Sequence, residues 1–228
     1  MNLIYIHGLD SDANSTKGVL LEKYCQLHYP DINVLRPDLN QTPAQVCEQL
    51  LSLIKALNNS ADRKSADKQT ELSNTVLIGS SLGGYFSTLI SNQIGCPVLL
   101  LNPSIQPHIT LQRFSNQPVS SQDNLNELST SKVLHTTAGG WSITPADLQW
   151  FADNQLLSVN YPDKVAVLLK EGDELLNSEL SKDFYQSKGA SVTVQVGGDH
   201  RFSDFDKQLP MVMNILQSLV QPQIDDII

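Results

Sequence analysis

Basic residues are few in this chain: 15 Lys and Arg stand against 24 Asp and Glu, a formal net charge of -9 over 228 residues. A nucleic-acid-binding face needs a basic patch to neutralise phosphates, so the balance argues against that class. It argues equally against an anionic lipid surface. Long apolar runs are missing too. No segment approaches the roughly 20 apolar residues that span a bilayer, and no membrane insertion is expected. The start, Met1-Asn2-Leu3-Ile4-Tyr5-Ile6, stays apolar only briefly before His7-Gly8 and carries no positive n-region. It reads as a strand, not a signal peptide. Cys25, Cys47 and Cys96 form no CxxC pair and no even-numbered framework. They read as small buried hydrophobes in a reduced, cytoplasmic protein.

What is present is an ordinary apolar fraction of 40%, enough to enclose a substantial core in a chain of this length. Residues 1–228 read as a single α/β domain. Short β-branched runs alternate with longer amphipathic stretches, the pattern of a parallel sheet covered by helices on both faces. The runs predict six strands, at Leu3–Ile6, Asn33–Leu35, Thr75–Ile78, Val98–Leu101, Val165–Lys170 and Val192–Val196. Helices are predicted at about Lys17–His28, Pro43–Leu57, Gly84–Ile94, Glu179–Ser187 and Phe205–Val220. Val46, Leu50, Leu51, Ile54 and Leu57 recur at helical spacing and mark a core-facing stripe. Two segments break the alternation. Asn58–Asn74 is rich in polar residues and reads as a surface loop. Residues 104–162 exceed what one crossover helix needs; with Phe114, Trp141, Trp150 and Phe151 among polar residues, they read as a helical, lid-like insertion, or as helices without function.

The run Thr75-Val76-Leu77-Ile78-Gly79-Ser80-Ser81-Leu82-Gly83-Gly84 carries the first chemical signal. An apolar strand enters Gly-x-Ser-x-Gly and a helical pattern follows, as a nucleophile elbow requires. The turn is so tight that Gly79 and Gly83 must lack side chains, and Ser81 is left at the positive end of the next helix. The motif is short, and it gains weight only from partners. No Lys-Ser or Lys-Thr follows the glycines, so this is no Walker loop, and Gly-x-Gly-x-x-Gly spacing is missing. No His, Cys or carboxylate cluster has metal-ligand spacing. Neither cofactor nor metal is expected.

An activated serine needs a base, and the base an orienting acid. His200 follows the last strand in Val196-Gly197-Gly198-Asp199-His200-Arg201-Phe202, where two glycines allow a compact turn back over the sheet edge. Asp173, just past the penultimate strand in Glu171-Gly172-Asp173-Glu174, is the acid candidate. Glu171 and Glu174 compete with it, Glu174 also as a residue flanking the next helix, while Asp199 is too close in sequence to His200. An oxyanion hole needs two N–H groups: Leu82 supplies one, and Leu9, in the His7-Gly8-Leu9 loop after the first strand, supplies the other. His7 reads as a structural hydrogen-bonding residue. Each of these positions falls at the C-terminal end of a strand, where ligand sites of parallel sheets lie.

With those residues assembled, the chain resembles the small YqiA/YcfP-type esterases of the α/β-hydrolase superfamily over nearly its whole length. The resemblance is carried by Tyr5-Ile6-His7-Gly8-Leu9-Asp10-Ser11, Gly79-Ser80-Ser81-Leu82-Gly83-Gly84-Tyr85 and Leu101-Asn102-Pro103-Ser104-Ile105-Gln106-Pro107, and by the segments Gly172–Leu176 and Gly197–Phe202. It implies an α/β-hydrolase fold with Ser81, Asp173 and His200 as triad. The expected substrate is a small carboxylic ester or acyl-thioester. The Asn58–Asn74 loop and the Trp141 region depart from the family pattern and leave substrate preference open. Asn102 reads as a turn residue or a pocket lining. A peptidase or C–C bond hydrolase on the same scaffold and a non-catalytic ligand-binding protein are the alternatives. Oligomeric state has no signature in the chain.

Overall fold

The apolar runs of the sequence become strands. The computed structural model describes residues 1–61, 74–115 and 132–220. Its strands are β1 (Asn2–Ile6), β2 (Asn33–Leu35), β3 (Thr75–Ser80), β4 (Val98–Leu101), β5 (His135–Thr136), β6 (Ser142–Ile143), β7 (Val165–Lys170) and β8 (Ser191–Gln195). Six of them form one parallel sheet in the order β2-β1-β3-β4-β7-β8, and β5 with β6 makes a separate two-stranded antiparallel ribbon. The helices are α1 (Thr16–His28), α2 (Pro43–Ala61), α3 (Leu82–Ile94), α4 (Pro107–Thr110), α5 (Pro145–Asp153), α6 (Ser178–Ser187) and α7 (Phe205–Val220).

Successive strand residues point to opposite faces, and the two faces bury two apolar clusters. Leu3, Tyr5, Val76, Ile78, Leu99 and Leu101 pack with Leu21 and Cys25 of α1 and with α7. Ile4, Ile6, Leu77, Val98 and Leu100 pack on the other face with Val46, Leu50 and Ile54 of α2 and with α3. Every residue of β3, β4 and β7 is buried, so apolar residues run through them without alternation, with Thr75, Ser80 and Lys170 as polar ends. Truncating one, Leu100→Ala for example, should cost about 2–5 kcal/mol by transfer and cavity terms together. Edge strand β8 is mostly exposed.

The strand order decides where a ligand can sit. From β1 the chain moves outward to β2, then returns to β3 on the other side of β1. Loops leaving β1 and β3 therefore part in different directions and open a crevice at their carboxyl ends. Gly8, Leu9 and Ser81 occupy that crevice.

Two expectations need correction. Helix α2 runs to Ala61, so Asn58 and Asn59 are helical rather than loop: the apolar stripe reaches Leu57, and no Gly or Pro follows to stop the helix. The rest of that expected loop, residues 62–73, lies outside the described residues. In the insertion, α5 is the sole helix longer than four residues among the described ones, and Trp141 sits beside the β5–β6 ribbon instead of in a helix. Thr136-Thr137, a turn through Gly139-Gly140, and Ser142-Ile143 are a hairpin pattern. Residues 116–131 are not among those described. Trp141, Ile143 and Phe151 are buried in the same cluster as Tyr85 and Phe86 of α3, and the Phe151 ring meets Tyr85 edge-on at 5.3 Å. The described insertion is thus packed onto the main core.

Candidate active site

The elbow is held in an unfavourable backbone conformation by what surrounds it. Ser81 has φ 56° and ψ -120°, a region that costs a non-glycine residue of order 1–3 kcal/mol. Its N–H donates to Leu101 O at 3.0 Å, and its own carbonyl accepts from Gly84 N at 2.8 Å and Ser104 N at 3.0 Å. A side chain at Gly83 would collide with the carbonyls of Ile6 and His7, and one at Gly79 with Ser87 Oγ and the Gly83 carbonyl. The glycines are there because α3 packs directly on the ends of β1 and β3. Ser81 stands at the α3 N-terminus, facing the positive end of the helix dipole.

Three side chains from distant segments meet at this point. His200 Nε2 lies 2.9 Å from Ser81 Oγ, and His200 Nδ1 lies 2.8 Å from Asp173 Oδ2. Both the Asp173 and His200 side chains are buried, at 2% and 10% exposure. Asp173 Oδ1 accepts the N–H groups of Leu175 and Leu176 at 2.9 and 2.8 Å, which fixes the carboxylate's orientation. With Nδ1–H donating to Asp173, Nε2 is free to accept the serine proton.

The loop after β1 supplies the opposite wall. A Cβ at Gly8 would lie 3.0 Å from Ser81 Cβ and 3.6 Å from Ser81 Oγ, so the backbone passes against the serine. Buried His7 anchors this loop: its Nε2 accepts the Leu39 N–H at 3.0 Å, and its Nδ1–H donates to Gly8 O at 2.9 Å. In a trans peptide the N–H points away from the C=O, so Leu9 N–H is directed away from the imidazole. The N–H groups of Leu9 and Leu82 have no acceptor among the described residues, and both residues line the cavity above Ser81, whose volume is about 720 Å³.

The comparisons with known proteins agree with this architecture. A model of the uncharacterised protein family UPF0227 matches residues 2–217. The chain belongs to this family. UPF0227 corresponds to the YcfP-like proteins that the sequence resembles. A UPF0227 protein of Vibrio cholerae is 27% identical over 121 residues, 53% of this chain and 61% of the relative. One of Vibrio parahaemolyticus is 26% identical with the same coverage. The match therefore spans less than two thirds of these relatives. Among solved structures, Est1E of Butyrivibrio proteoclasticus with ferulic acid bound superposes with a TM-score of 0.65 at 14% identity, over 96% of this chain and 90% of that one. Mouse alpha/beta hydrolase domain-containing protein 10 gives 0.61 at 19% identity, over 96% and 90%. At such identities the likeness establishes the fold, and it is the α/β-hydrolase fold.

Within this UPF0227 chain, the competitors for the acid position are sorted by geometry. Glu171 is exposed. Glu174 Oε2 accepts the His200 backbone N–H at 2.9 Å, so it holds the histidine loop rather than the ring. Asp199 Oδ1 accepts from Ser203 N at 3.0 Å; the Ser203 side chain first, and then this backbone N–H, draw its carboxyl below the usual range. Sequence reading underrated Asn102. It is buried, has φ 42°, donates through Nδ2 to the carbonyls of Asp199 and His200 at 3.1 and 3.3 Å, and accepts the Lys170 N–H at 2.8 Å. One side chain thus joins the ends of β4, β7 and the histidine loop. Its signal was an Asn directly after a buried strand, a residue that tolerates positive φ. Lys170, predicted only as strand, is buried and paired with Asp204 at 2.7 Å beneath the same loop.

Strain is concentrated here. The described non-glycine residues with positive φ are Asp10, Ser81, Asn102 and Phe202. They lie in loops after β1, β3, β4 and β8, all at the sheet edge that carries the cavity. Among the described residues no group of His, Cys, Asp and Glu is arranged to hold a metal, and no helix is long and apolar enough to cross a membrane.

Proposed function

We propose that this UPF0227 member is a serine hydrolase that cleaves carboxylic ester or thioester bonds through an acyl-enzyme on Ser81, with His200 as base, Asp173 as its orienting acid, and the Leu9 and Leu82 amides as oxyanion donors. The observation that carries the reading is the continuous hydrogen-bonded chain from Ser81 Oγ through His200 to Asp173, at 2.9 and 2.8 Å. Ser81 Oγ attacks the carbonyl carbon while His200 Nε2 takes its proton. The negative charge that develops on the carbonyl oxygen falls to the Leu9 and Leu82 N–H groups, which have no competing acceptor among the described residues. Collapse of the intermediate expels the alcohol or thiol, which takes the proton back from Nε2. Water then attacks the acyl-enzyme by the same route, and Ser81 regains its proton. Asp173 stabilises the imidazolium of both steps.

A cavity of about 720 Å³ has the size of a small-molecule site, for which about 300–1,000 Å³ is usual. Est1E, solved with ferulic acid, supports a small organic acyl group as the kind of ligand this fold accepts. The insertion contributes Thr110, Leu111, Arg113 and Ala138 to the wall, which supports a role for residues 104–162 in choosing the substrate. The free thiols of Cys25, Cys47 and Cys96 favour a reducing compartment, the cytoplasm, as its place of action.

The test is Ser81→Ala assayed with 4-nitrophenyl butyrate. Turnover should fall on the order of 10⁴-fold or more, and labelling by a fluorophosphonate probe should disappear. Full turnover with retained labelling would show that another nucleophile is at work. Turnover of amides or diketones in place of esters would keep the residues and change the reaction class.

A further inference from the structure

The cavity extends well beyond the serine. From Ser81 it continues along the loop after β1 to the first turn of α1, where Lys17 and Arg201 line it, and Arg113 reaches it from the insertion. In a chain with 15 basic residues against 24 acidic ones, this concentration of cations around one opening is notable for what does not neutralise it. None of the three has a carboxylate within ion-pair distance among the described residues, where Arg36, Lys170 and Lys182 are the Lys and Arg side chains so paired. Lys17 Nζ donates once, to Arg201 O at 2.7 Å, which leaves two of its three N–H bonds unused. Arg113 rests on the Phe114 ring at 4.9 Å.

Two carboxylates, Asp10 and Asp12, share this lining with the three cations and offset part of their charge. Asp10 Oδ1 accepts from His135 Nε2 at 3.1 Å and Ala138 N at 3.2 Å, and Asp12 Oδ1 accepts from Asn14 N at 2.6 Å. Helix α1 adds to the imbalance: thirteen residues long, it has no acidic residue in its first turn, and the Ser15 side chain does not cap it. The N–H groups of Thr16 and Lys17 have no acceptor among the described residues, so the helix turns an unneutralised positive end toward the cavity.

We propose that this arm of the cavity receives an anionic group, a carboxylate or phosphate, that the substrate carries in addition to its scissile ester or thioester bond, with Lys17 and Arg201 as its ligands and Arg113 as a further positive charge at the opening. The inference rests on the hydrolase reading and names the substrate class of that site: anionic esters in preference to neutral ones. A desolvated ammonium fits the role. Burial brings Lys17 down to about 8, with Asp199 opposing the shift and Arg201 adding to it, and a bound anion would restore the charged form. Steering is a second consequence, since a positive opening on a negative molecule focuses anions onto the site.

The experiment compares anionic esters with neutral counterparts of similar size. One pair places the anion on the acyl side: the mono-4-nitrophenyl ester of adipate against that of its methyl ester. Two further substrates place it on the leaving group: the butyrate esters of 3-hydroxybenzoate and of 3-hydroxyphenyl phosphate, each against the butyrate of methyl 3-hydroxybenzoate. At least one anionic member should exceed its neutral partner in kcat/KM by about tenfold or more, as a charge-assisted contact predicts, and the arm that does so identifies carboxylate or phosphate and the side of the bond. That ratio should fall toward one in Lys17→Met and in Arg201→Met. Because it is a ratio, it is insensitive to a general loss from a displaced histidine loop. The wild-type ratio should also fall as salt is raised, a readout that needs no variant. A ratio of one or below in every arm, with neutral esters turned over, would overturn the anionic subsite and leave the hydrolase standing; so would a ratio unmoved by salt and by both substitutions. Failure to hydrolyse any ester, neutral ones included, would overturn the hydrolase reading and this inference with it.

Discussion

Ser81 and His200 end up 2.9 Å apart, yet they are held by different means. The serine's conformation is enforced by close backbone packing: Gly79 and Gly83 let α3 close onto the ends of β3 and β1, Gly84 lets it close onto Pro103, and Gly84 N–H returns to the Ser81 carbonyl. The histidine loop has little of its own to hold it. Gly197 and Gly198 adopt φ 68° and 74° and allow the turn, but the position of the loop comes from Asn102 on its carbonyls, Glu174 on its N–H, and the ion pair of buried Lys170 with half-buried Asp204 beneath it. The comparison teaches that Ser81 is set by backbone packing around one turn and His200 by side chains that reach it from other segments. Substitutions around the first should register as stability, and around the second as turnover.

Asp173→Asn should produce the largest effect. It removes the charge that stabilises the imidazolium and leaves the Leu175 and Leu176 N–H bonds an oxygen to find; kcat should drop about 10⁴-fold with the thermal midpoint little changed. Full activity would pass the acid role to Glu174, whose carboxylate is already on the His200 N–H.

Asn102→Asp comes next. The variant keeps the acceptor for Lys170 N–H and tolerates positive φ, but loses both donors to the histidine loop. A base displaced by a fraction of an ångström should lower kcat by about 10- to 100-fold while KM barely moves. Steady-state kinetics checks the split, and a rise in KM with kcat intact would break the comparison by making Asn102 a pocket residue.

Gly83→Ala should do the reverse. Its Cβ would press on the Ile6 and His7 carbonyls, and misfit of this kind costs about 1–3 kcal/mol or more. Denaturant unfolding should show the loss, with the remaining folded fraction still labelled at Ser81. A fully stable but inactive Gly83→Ala would erase the distinction between the two halves.

Asp204→Asn is the smallest. Burial alone would raise this carboxyl, but the hydrogen bonds and charge of Lys170 together with Gln208 bring it below its ordinary value. A carboxylate lowered in the folded state adds stability above its unfolded value of about 3.9, and that contribution is lost as pH falls through the lower folded value. Wild type should therefore melt slightly above the variant at pH 7 and converge with it as pH falls below the ordinary carboxylate range. A difference that persists at acid pH would mean the pair is not what steadies the loop.

Much of this was legible in order along the chain. The strands at Asn33–Leu35, Val98–Leu101 and Val165–Lys170 have the expected bounds; Val98–Leu101 is apolar and buried end to end, so its limits are visible, whereas Asn33–Leu35 is a short, partly exposed edge strand bounded by polar neighbours. Ser81, Asp173 and His200 could be named because each follows the carboxyl end of an expected strand. The edge strand β8 begins one residue earlier than expected, where exposure weakens the pattern. The β5–β6 ribbon was missed because strands of two residues are too short for any period to emerge.

By itself the sequence determined the sheet, the elbow and the order in which its chemical groups arrive, since these depend on residue size, period and turn conformation within a few positions. Which carboxylate meets the imidazole, that Asn102 clamps the loop, and that Lys17 and Arg201 share a cavity with Ser81 were decided only by the tertiary structure. Those relations join residues from 27 to 184 positions apart. No local pattern encodes such a distance; it is set when parallel strands bring their carboxyl ends to one edge.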